Sequence, residues 1–276
     1  MRKLLSANFA RLKKDKVFWL CMIFLFLFAC LLISTQYREH VKYGYEADIN
    51  NVLFAYAVLI GVLSSVFTSL FLGTEYSDGT IRNKLVVGNT RTAIYLSNLI
   101  VSIAAAFLMC LAYLAAVCLI GIPLLGTSRS GLPLLLKILC GVFLASAAYS
   151  SICTLLSMLM QNKAIATAVS ILGMVLLLTA ASYLAAQLSQ PEMYSGYTLD
   201  ASGEIVQSEP VPNPRCLTGT KREVYEFLYD FLPSGQCVQY AAMEFTNIPR
   251  MYLCSLGILL AATAGGIWFF RRKDLK

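Results

Sequence analysis

Apolar residues in this chain come in long unbroken blocks. They show neither the two-residue alternation of a half-buried strand nor the three-to-four-residue stripe of a surface helix. Six blocks, at residues 17–34, 52–73, 94–125, 132–160, 164–189 and 252–270, meet or nearly meet the requirement of about 20 apolar residues for a helix crossing the hydrocarbon core. The third and fourth exceed one crossing; a tilt, or an end lying in the interface, absorbs the excess. Membrane β-barrel strands alternate over about 10 residues, and these blocks do not, so a barrel is excluded. The first block is too long for a cleaved signal and no A-x-A site follows it. Leu27-Phe28-Ala29-Cys30 is a poor lipoprotein box, because Phe28 is bulky and apolar residues continue past Cys30.

Between and beside the blocks the pattern changes. Residues 2–16 place Leu4, Leu5, Phe9 and Leu12 at helical spacing among Arg11, Lys13, Lys14 and Lys16. This reads as an amphipathic helix on the membrane surface, or else as a polybasic flank that only fixes topology. The turn Gln161-Asn162-Lys163 is short enough to make blocks four and five an antiparallel hairpin in close contact, with Ala145, Ser146, Ala147, Ala148, Ser150, Ser151, Ala164, Ala166, Ala168 and Ser170 permitting close approach. Residues 190–250 leave the membrane. There Tyr197 to Gln207 reads as a β-hairpin turning at Ala201-Ser202-Gly203, and Pro210, Pro212 and Pro214 keep the chain extended. Residues 221–231 read as a helix with Val224, Phe227, Leu228 and Phe231 on one face, ended by Pro233 and Gly235. It would lie on the outer membrane surface or cap the transmembrane helices.

The predicted fold is therefore an all-α polytopic membrane protein. It has six transmembrane helices, an N-terminal interfacial amphipathic helix, and a small extracytoplasmic α+β domain between helices five and six. Residues 1–189 form the transmembrane domain with a polar loop at 74–92, residues 190–250 the outer domain, and residues 251–276 the sixth helix and its tail.

Composition agrees: 58% of residues are hydrophobic and 13% charged, with mean hydropathy +0.68. A soluble domain is about half apolar and about one quarter charged. Six spans put both termini on one side. That side holds fourteen Lys and Arg against eight on the other, and four acids against eleven. The positive-inside rule makes it the cytoplasm. The two sides then carry +10 and −3, which together are the chain's +7, so the basic balance reflects topology and anionic lipid without nucleic-acid binding.

Little in the sequence supports catalysis. The one histidine, His40, stands in a short outer loop and is discounted as a metal ligand. No His-Glu-x-x-His and no pair of intramembrane carboxylates is present, so a membrane protease is disfavoured. Gly126-Thr-Ser-Arg-Ser-Gly131 has Leu132 and Pro133 where a phosphate loop needs Lys and Ser/Thr. Seven of the nine cysteines lie in or beside the spans and read as small apolar packers. Cys216 and Cys237 lie in the outer domain and bracket its helix. A disulfide there would staple a domain with little core; the alternative is two free thiols.

The polar stretch Glu75-Tyr-Ser-Asp-Gly79-Thr-Ile-Arg-Asn-Lys-Leu85 stands between two spans, and residues 93–128 beyond it contain no charge at all. Ser77 or Asp78 can cap a short helix and Asn83 or Gly88 can end it. Ile81 and Leu85, four apart, would share a face able to dock a soluble partner; the plain alternative is a solvated loop.

Glu75-Tyr76-x-x-Gly79-Thr80-x-x-x-x-Leu85, with Arg91 ahead of the third span, resembles the signature of ABC-2-type permeases, the membrane subunits of ATP-binding-cassette transporters. The six-span layout, the basic N-terminal helix and the large outer loop between spans five and six are similar over essentially the whole length, although that loop carries a hairpin of its own. The resemblance implies a non-catalytic permease in a bacterial plasma membrane, with both termini cytoplasmic. It implies a second copy of itself or a homologous permease as partner, and two cytoplasmic ABC ATPase subunits that bind ATP and Mg; this chain would hold no cofactor. Gly79 and Thr80 would start or flank the coupling helix, and Ile81 and Leu85 would dock. Glu75 would anchor the end of span two through Arg82, Arg91 or an N-terminal Lys.

Spans without deep charges disfavour an ion channel or proton-coupled transporter and suggest a hydrophobic or amphipathic cargo, such as an antimicrobial peptide, an antibiotic or a lipid-like molecule. The competing reading is a membrane sensor or assembly subunit that binds a ligand or partner through its outer domain without transport.

Overall fold

The computed structural model describes residues 1–46, 48–194, 197–199, 205–207 and 210–273. Among these, six helical stretches are long and apolar enough to cross a membrane: Lys16–Tyr43, Asn50–Ser77, Arg91–Leu125, Leu132–Leu159, Lys163–Leu188 and Ile248–Arg272. In chain order the helices are α1 (Arg2–Lys14), α2 (Lys16–Tyr43), α3 (Asn50–Leu53), α4 (Ala57–Ser77), α5 (Thr80–Val86), α6 (Arg91–Ala116), α7 (Ile122–Leu125), α8 (Leu132–Leu159), α9 (Lys163–Leu188), α10 (Gly219–Phe231), α11 (Pro233–Ala242) and α12 (Ile248–Arg272). With an even number of spans, both ends of the chain come to one end of the bundle, here the terminal end; the opposite one is the far end.

The third span absorbs its extra length through a defect. A π-helical turn at Val117–Gly121 separates α6 from α7, in which Pro123 stands near the N-terminus. Proline has no N–H to donate to the preceding turn, and a π turn is a common way to place the resulting change of register.

α4 lies at the centre of the bundle and packs against α8 and α9, while α12 lies along α8, and α2 along α6. The expected tight α8–α9 hairpin is thus opened by α4, whose two faces take the places the pair would have filled in each other. The short turn is present, with the Asn162 side chain capping α9 through Ala164 N and Ile165 N. The small residues of α8 from Ala145 to Ser151 are all buried, whereas on α9 Ala166 and Ser170 are buried and Ala164 and Ala168 face outward.

Three tyrosines occupy the space that glycine vacates on a neighbouring helix. A Cβ on Gly61 of α4 would stand 2.7 Å from the ring of Tyr149 on α8. Gly141 of α8 receives Tyr240 of α11, and Gly266 of α12 receives Tyr95 of α6, still more tightly. With lipid tails as apolar as the side chains, such close packing is what holds membrane helices together.

At the far end, the expected hairpin is present as β2 (Tyr197–Leu199) against β3 (Ile205–Gln207), antiparallel with Thr198 opposite Val206; its turn lies outside the described residues. A second short pair, β1 (Met193–Tyr194) with β4 (Val211–Pro212), encloses it, and the Asn213 side chain closes the base by donating to Pro191 O at 2.8 Å. Pro212 is tolerated because a two-stranded ribbon has only edges. α10 forms as expected and ends before Leu232, with Val224, Phe227, Leu228 and Phe231 exposed.

Pro233 does not lead into a loop. It opens α11, where a proline in the first turn loses no hydrogen bond. Gly235 permits this second start, since a Cβ there would collide with the carbonyl of Tyr229. α11 turns back into the bundle, burying Ser234, Gln236, Cys237 and Tyr240 against α8 and α9. Cys237 is therefore enclosed on α11 while Cys216 stands in the loop before α10, and both are free thiols, contrary to the disulfide expected between them.

Candidate functional site

Glu75 sits two residues before the end of the second span with its side chain fully enclosed, where an unpaired carboxylate would be costly. Three elements reach it. Arg11 from α1 and Lys84 from α5 both form ion pairs with its Oε1. Asn98 from α6 donates to its Oε2 at 3.0 Å. Asn8 completes the network, donating to Asn98 Oδ1 at 2.7 Å while its own Oδ1 accepts from Lys84 Nζ at 3.0 Å. Arg11 also donates to Phe71 O at 2.6 Å and lays its guanidinium over the Phe71 ring at 3.6 Å. Two cations and one carboxylate leave the site with a net positive charge at the terminal end.

This network explains how α1 is held. Its buried face is Leu4, Asn8 and Leu12, packed chiefly on α6, with Leu5 and Phe9 half-buried beside it. The amphipathic pattern thus serves contact with the bundle, and Asn8 lies on the inward face because Asn98 and Lys84 satisfy it. The basic partners of Glu75 differ from those expected: Arg82 is exposed, and Arg91 points to α12, donating to Phe270 O at 3.0 Å and to Lys273 O.

Gly79 and Thr80 have separate physical roles. Gly79 takes φ +66°, a left-handed conformation that side chains disfavour, and this turns the chain out of α4 and into α5. Thr80 donates its hydroxyl to Glu75 O at 3.1 Å, satisfying one of the open carbonyls at the end of α4. Ser77 and Asp78 do not cap α5; the N-cap is Gly79 itself. Gly88, at φ +90°, follows the helix as a C-terminal breaker.

Ile81 cannot be an outward docking residue. It is only 2% exposed and faces the core, with Leu85 half-buried next to it, because α5 lies flat on the bundle with that stripe inward. The exposed apolar residues of this segment are Val86 and Val87, 84% and 81% exposed. At the other end of α5, where the chain leaves α4, a cleft of about 330 Å³ is bordered by Glu75, Tyr76, Gly79, Ile81, Arg82 and Gln161.

Tyr76 belongs to a second tie. Its hydroxyl donates to Met158 O at the end of α8, and Lys273, just past α12, donates to Met158 O at 3.0 Å and lies 4.5 Å from the Tyr76 ring centre. Burial pulls the Lys273 amine down from the ordinary lysine range to about 8. The ends of α4, α8 and α12 are thereby joined next to the Glu75 network.

The family model described as ABC-2 family transporter protein matches residues 4–187, two thirds of the chain. The chain belongs to the ABC-2 transporter family. The match spans α1 to the end of α9 and so includes every residue of the Glu75 network, while Lys273 and the far-end helices α10 and α11 lie beyond it. As a member, the protein is a multi-pass membrane component of a transport system, a role that is typically non-catalytic. Among curated proteins none matches the chain.

Four residues of the ABC-2 member's network were not paired with Glu75 from sequence: Asn8, Arg11, Lys84 and Asn98. Asn98 carried a usable signal, an amide inside a stretch without charge; the others were hidden among the many basic and polar residues of their segments.

A second buried cluster stands at the far end. Asp230 of α10 is fully enclosed and accepts from Arg250 Nε at 2.6 Å and Gln239 Nε2 at 2.9 Å, with Thr246 donating as well. Gln236 donates to Asp230 O at 2.7 Å, and Ser234 ties α11 to α9 by donating to Leu177 O at 2.7 Å. This cluster locks the inward turn of α11.

Proposed function

We propose that this chain is the permease subunit of an ATP-driven exporter in a bacterial plasma membrane, with its terminal end in the cytoplasm. It would work as a dimer, with itself or a homologous permease, on two ABC ATPase subunits that bind ATP and Mg. The cargo is a hydrophobic or amphipathic molecule, of the class of antimicrobial peptides, antibiotics or lipid-like compounds, moved by alternating access at the dimer interface.

One observation carries this reading. Glu75 joins α5 to α1, α4 and α6 at a single enclosed carboxylate, so a displacement of α5 is passed to three bundle elements at once. α5 then serves as the coupling helix, with Val86 and Val87 as its apolar contact and Arg82 as a charged one. The excess of Lys and Arg at the terminal end supports the orientation. Outward-facing rows on α2 (Leu20, Phe24, Leu27, Leu31) and α9 (Leu172, Val175, Leu176) offer surface for lipid and for the partner permease.

The test is ATP hydrolysis by the complex reconstituted in vesicles with its ATPase subunit. Cargo-stimulated hydrolysis together with ATP-dependent movement of the cargo supports an exporter. Binding without stimulation or movement would favour a sensor.

A further inference from the structure

A cleft of about 410 Å³ opens at the far end, between the last turn of α9, α10 and α11. Leu188, Val238 and Phe245 supply apolar walls and Tyr229 an aromatic one. Its charged groups largely cancel. Arg222 pairs with Glu226 one helical turn away at 3.0 Å, and the neighbouring Asp230 is answered by Arg250. Gln239 and Thr246 are engaged with Asp230 and each other. Glu244 is left over. Its backbone is fixed by a hydrogen bond to Gln239 O at 3.2 Å, directly after the left-handed Met243. Among the described residues its carboxylate has no ion-pair or hydrogen-bond partner. Burial pushes the Tyr229 hydroxyl up to about 12, with smaller contributions from Asp230 and then Glu244.

A half-apolar, aromatic-walled cleft with one uncompensated negative charge selects for an organic cation. The carboxylate attracts the ammonium, and ring faces favour a positive group close to an apolar body. We propose that this cleft binds an organic cation whose charged nitrogen is joined to an aromatic or aliphatic body, with Glu244 as the anchor and Tyr229, Val238 and Phe245 as the walls. As a site for cargo it rests on the transport reading above; as a ligand site it stands without it.

Binding is measured on the full chain in nanodiscs, without nucleotide or ATPase, so that failure here leaves the transport reading to its own test. The probe is benzylammonium, followed by saturation-transfer NMR, with benzenesulfonate as a body of similar shape and opposite charge. Benzylammonium is expected to bind saturably and more weakly as salt rises, and benzenesulfonate not to bind. Glu244→Gln should weaken the cation about tenfold, equivalent to about 1.4 kcal/mol. Glu223→Gln, an exposed carboxylate of α10 outside the cleft, should leave it unchanged. Because the Glu244 carboxylate supports no other residue, its variant should unfold at the wild-type temperature. Equal affinity in wild type and Glu244→Gln, equal binding of the sulfonate, or no saturable binding to folded wild type would each overturn the proposal.

Discussion

Arg11 reaches across 64 residues of sequence to pair with Glu75, and in doing so fastens the N-terminal helix to the end of the second span. The pair is asymmetric: the guanidinium is partly exposed, while the carboxylate is fully enclosed. Removing the carboxylate therefore does more harm than removing either cation, since Lys84 remains to neutralise Glu75 when Arg11 is lost. Glu75→Ala is expected to destabilise the protein by about 3–5 kcal/mol, the range for breaking a buried pair, and Arg11→Ala by clearly less. Thermal unfolding in nanodiscs checks the order, and equal losses would contradict it.

The turn into α5 depends on Gly79 for its backbone alone, because a Cβ there meets nothing within 4 Å. Gly79→Ala should cost about 1–2 kcal/mol through the left-handed φ. Thr80→Val should cost about 1 kcal/mol through the lost bond to Glu75 O. Both should raise hydrogen exchange in the amides of α5 more than in those of α9. Uniform changes along the chain would show that the turn is not local in its effect.

Lys273 predicts a pH dependence. Its folded pKa, about 8, lies below that of a free lysine because burial disfavours the ammonium. Between about pH 8 and the free-lysine value near 10.4, the unfolded chain binds more protons than the folded one, so this group's contribution to stability rises with pH. The penalty is fully present below pH 8. The unfolding temperature of wild type relative to Lys273→Met should climb between pH 8 and 10. A flat difference would place the ammonium in water.

Asp230 and Arg250 hold α11 in the bundle, and Cys237 reports on it. In the wild type a membrane-impermeant maleimide should label the half-buried Cys216 and spare the enclosed Cys237. Asp230→Ala leaves Arg250 unpaired and should expose Cys237 to the reagent. Protection of Cys237 in that variant would mean that packing of Tyr240 on Gly141 suffices.

The six spans were legible because long apolar blocks have few alternatives; the helix of residues 80–86 was legible only as one of two readings, since a polar island between spans with Gly at both ends suits a capped helix or a solvated loop. Its inward face was not. Ile81 and Leu85 share a stripe, but sequence does not say whether a stripe meets the bundle or a partner, and three-dimensional packing chose the bundle. Glu75 stood out as an acid at a span end, while its partners came from segments distant in sequence and rich in equivalent bases. At the far end Pro233 and Gly235 read as breakers although each is equally suited to starting a helix. The inward turn of α11 follows from Asp230, Gln239 and Arg250 meeting, which no local pattern announces.

The central claim is that α5 passes force from an ATPase to the bundle. It is tested most directly by co-expressing this chain with candidate ABC ATPase subunits and measuring co-purification and ATP hydrolysis. The comparison is wild type against Val86→Asp with Val87→Asp, which charge the exposed pair without touching the core. The account predicts a stable, hydrolysing complex with wild type, and loss of the ATPase from a variant that still folds. An undiminished complex in the variant would move the contact off α5, and a wild type that binds no ATPase would contradict the account.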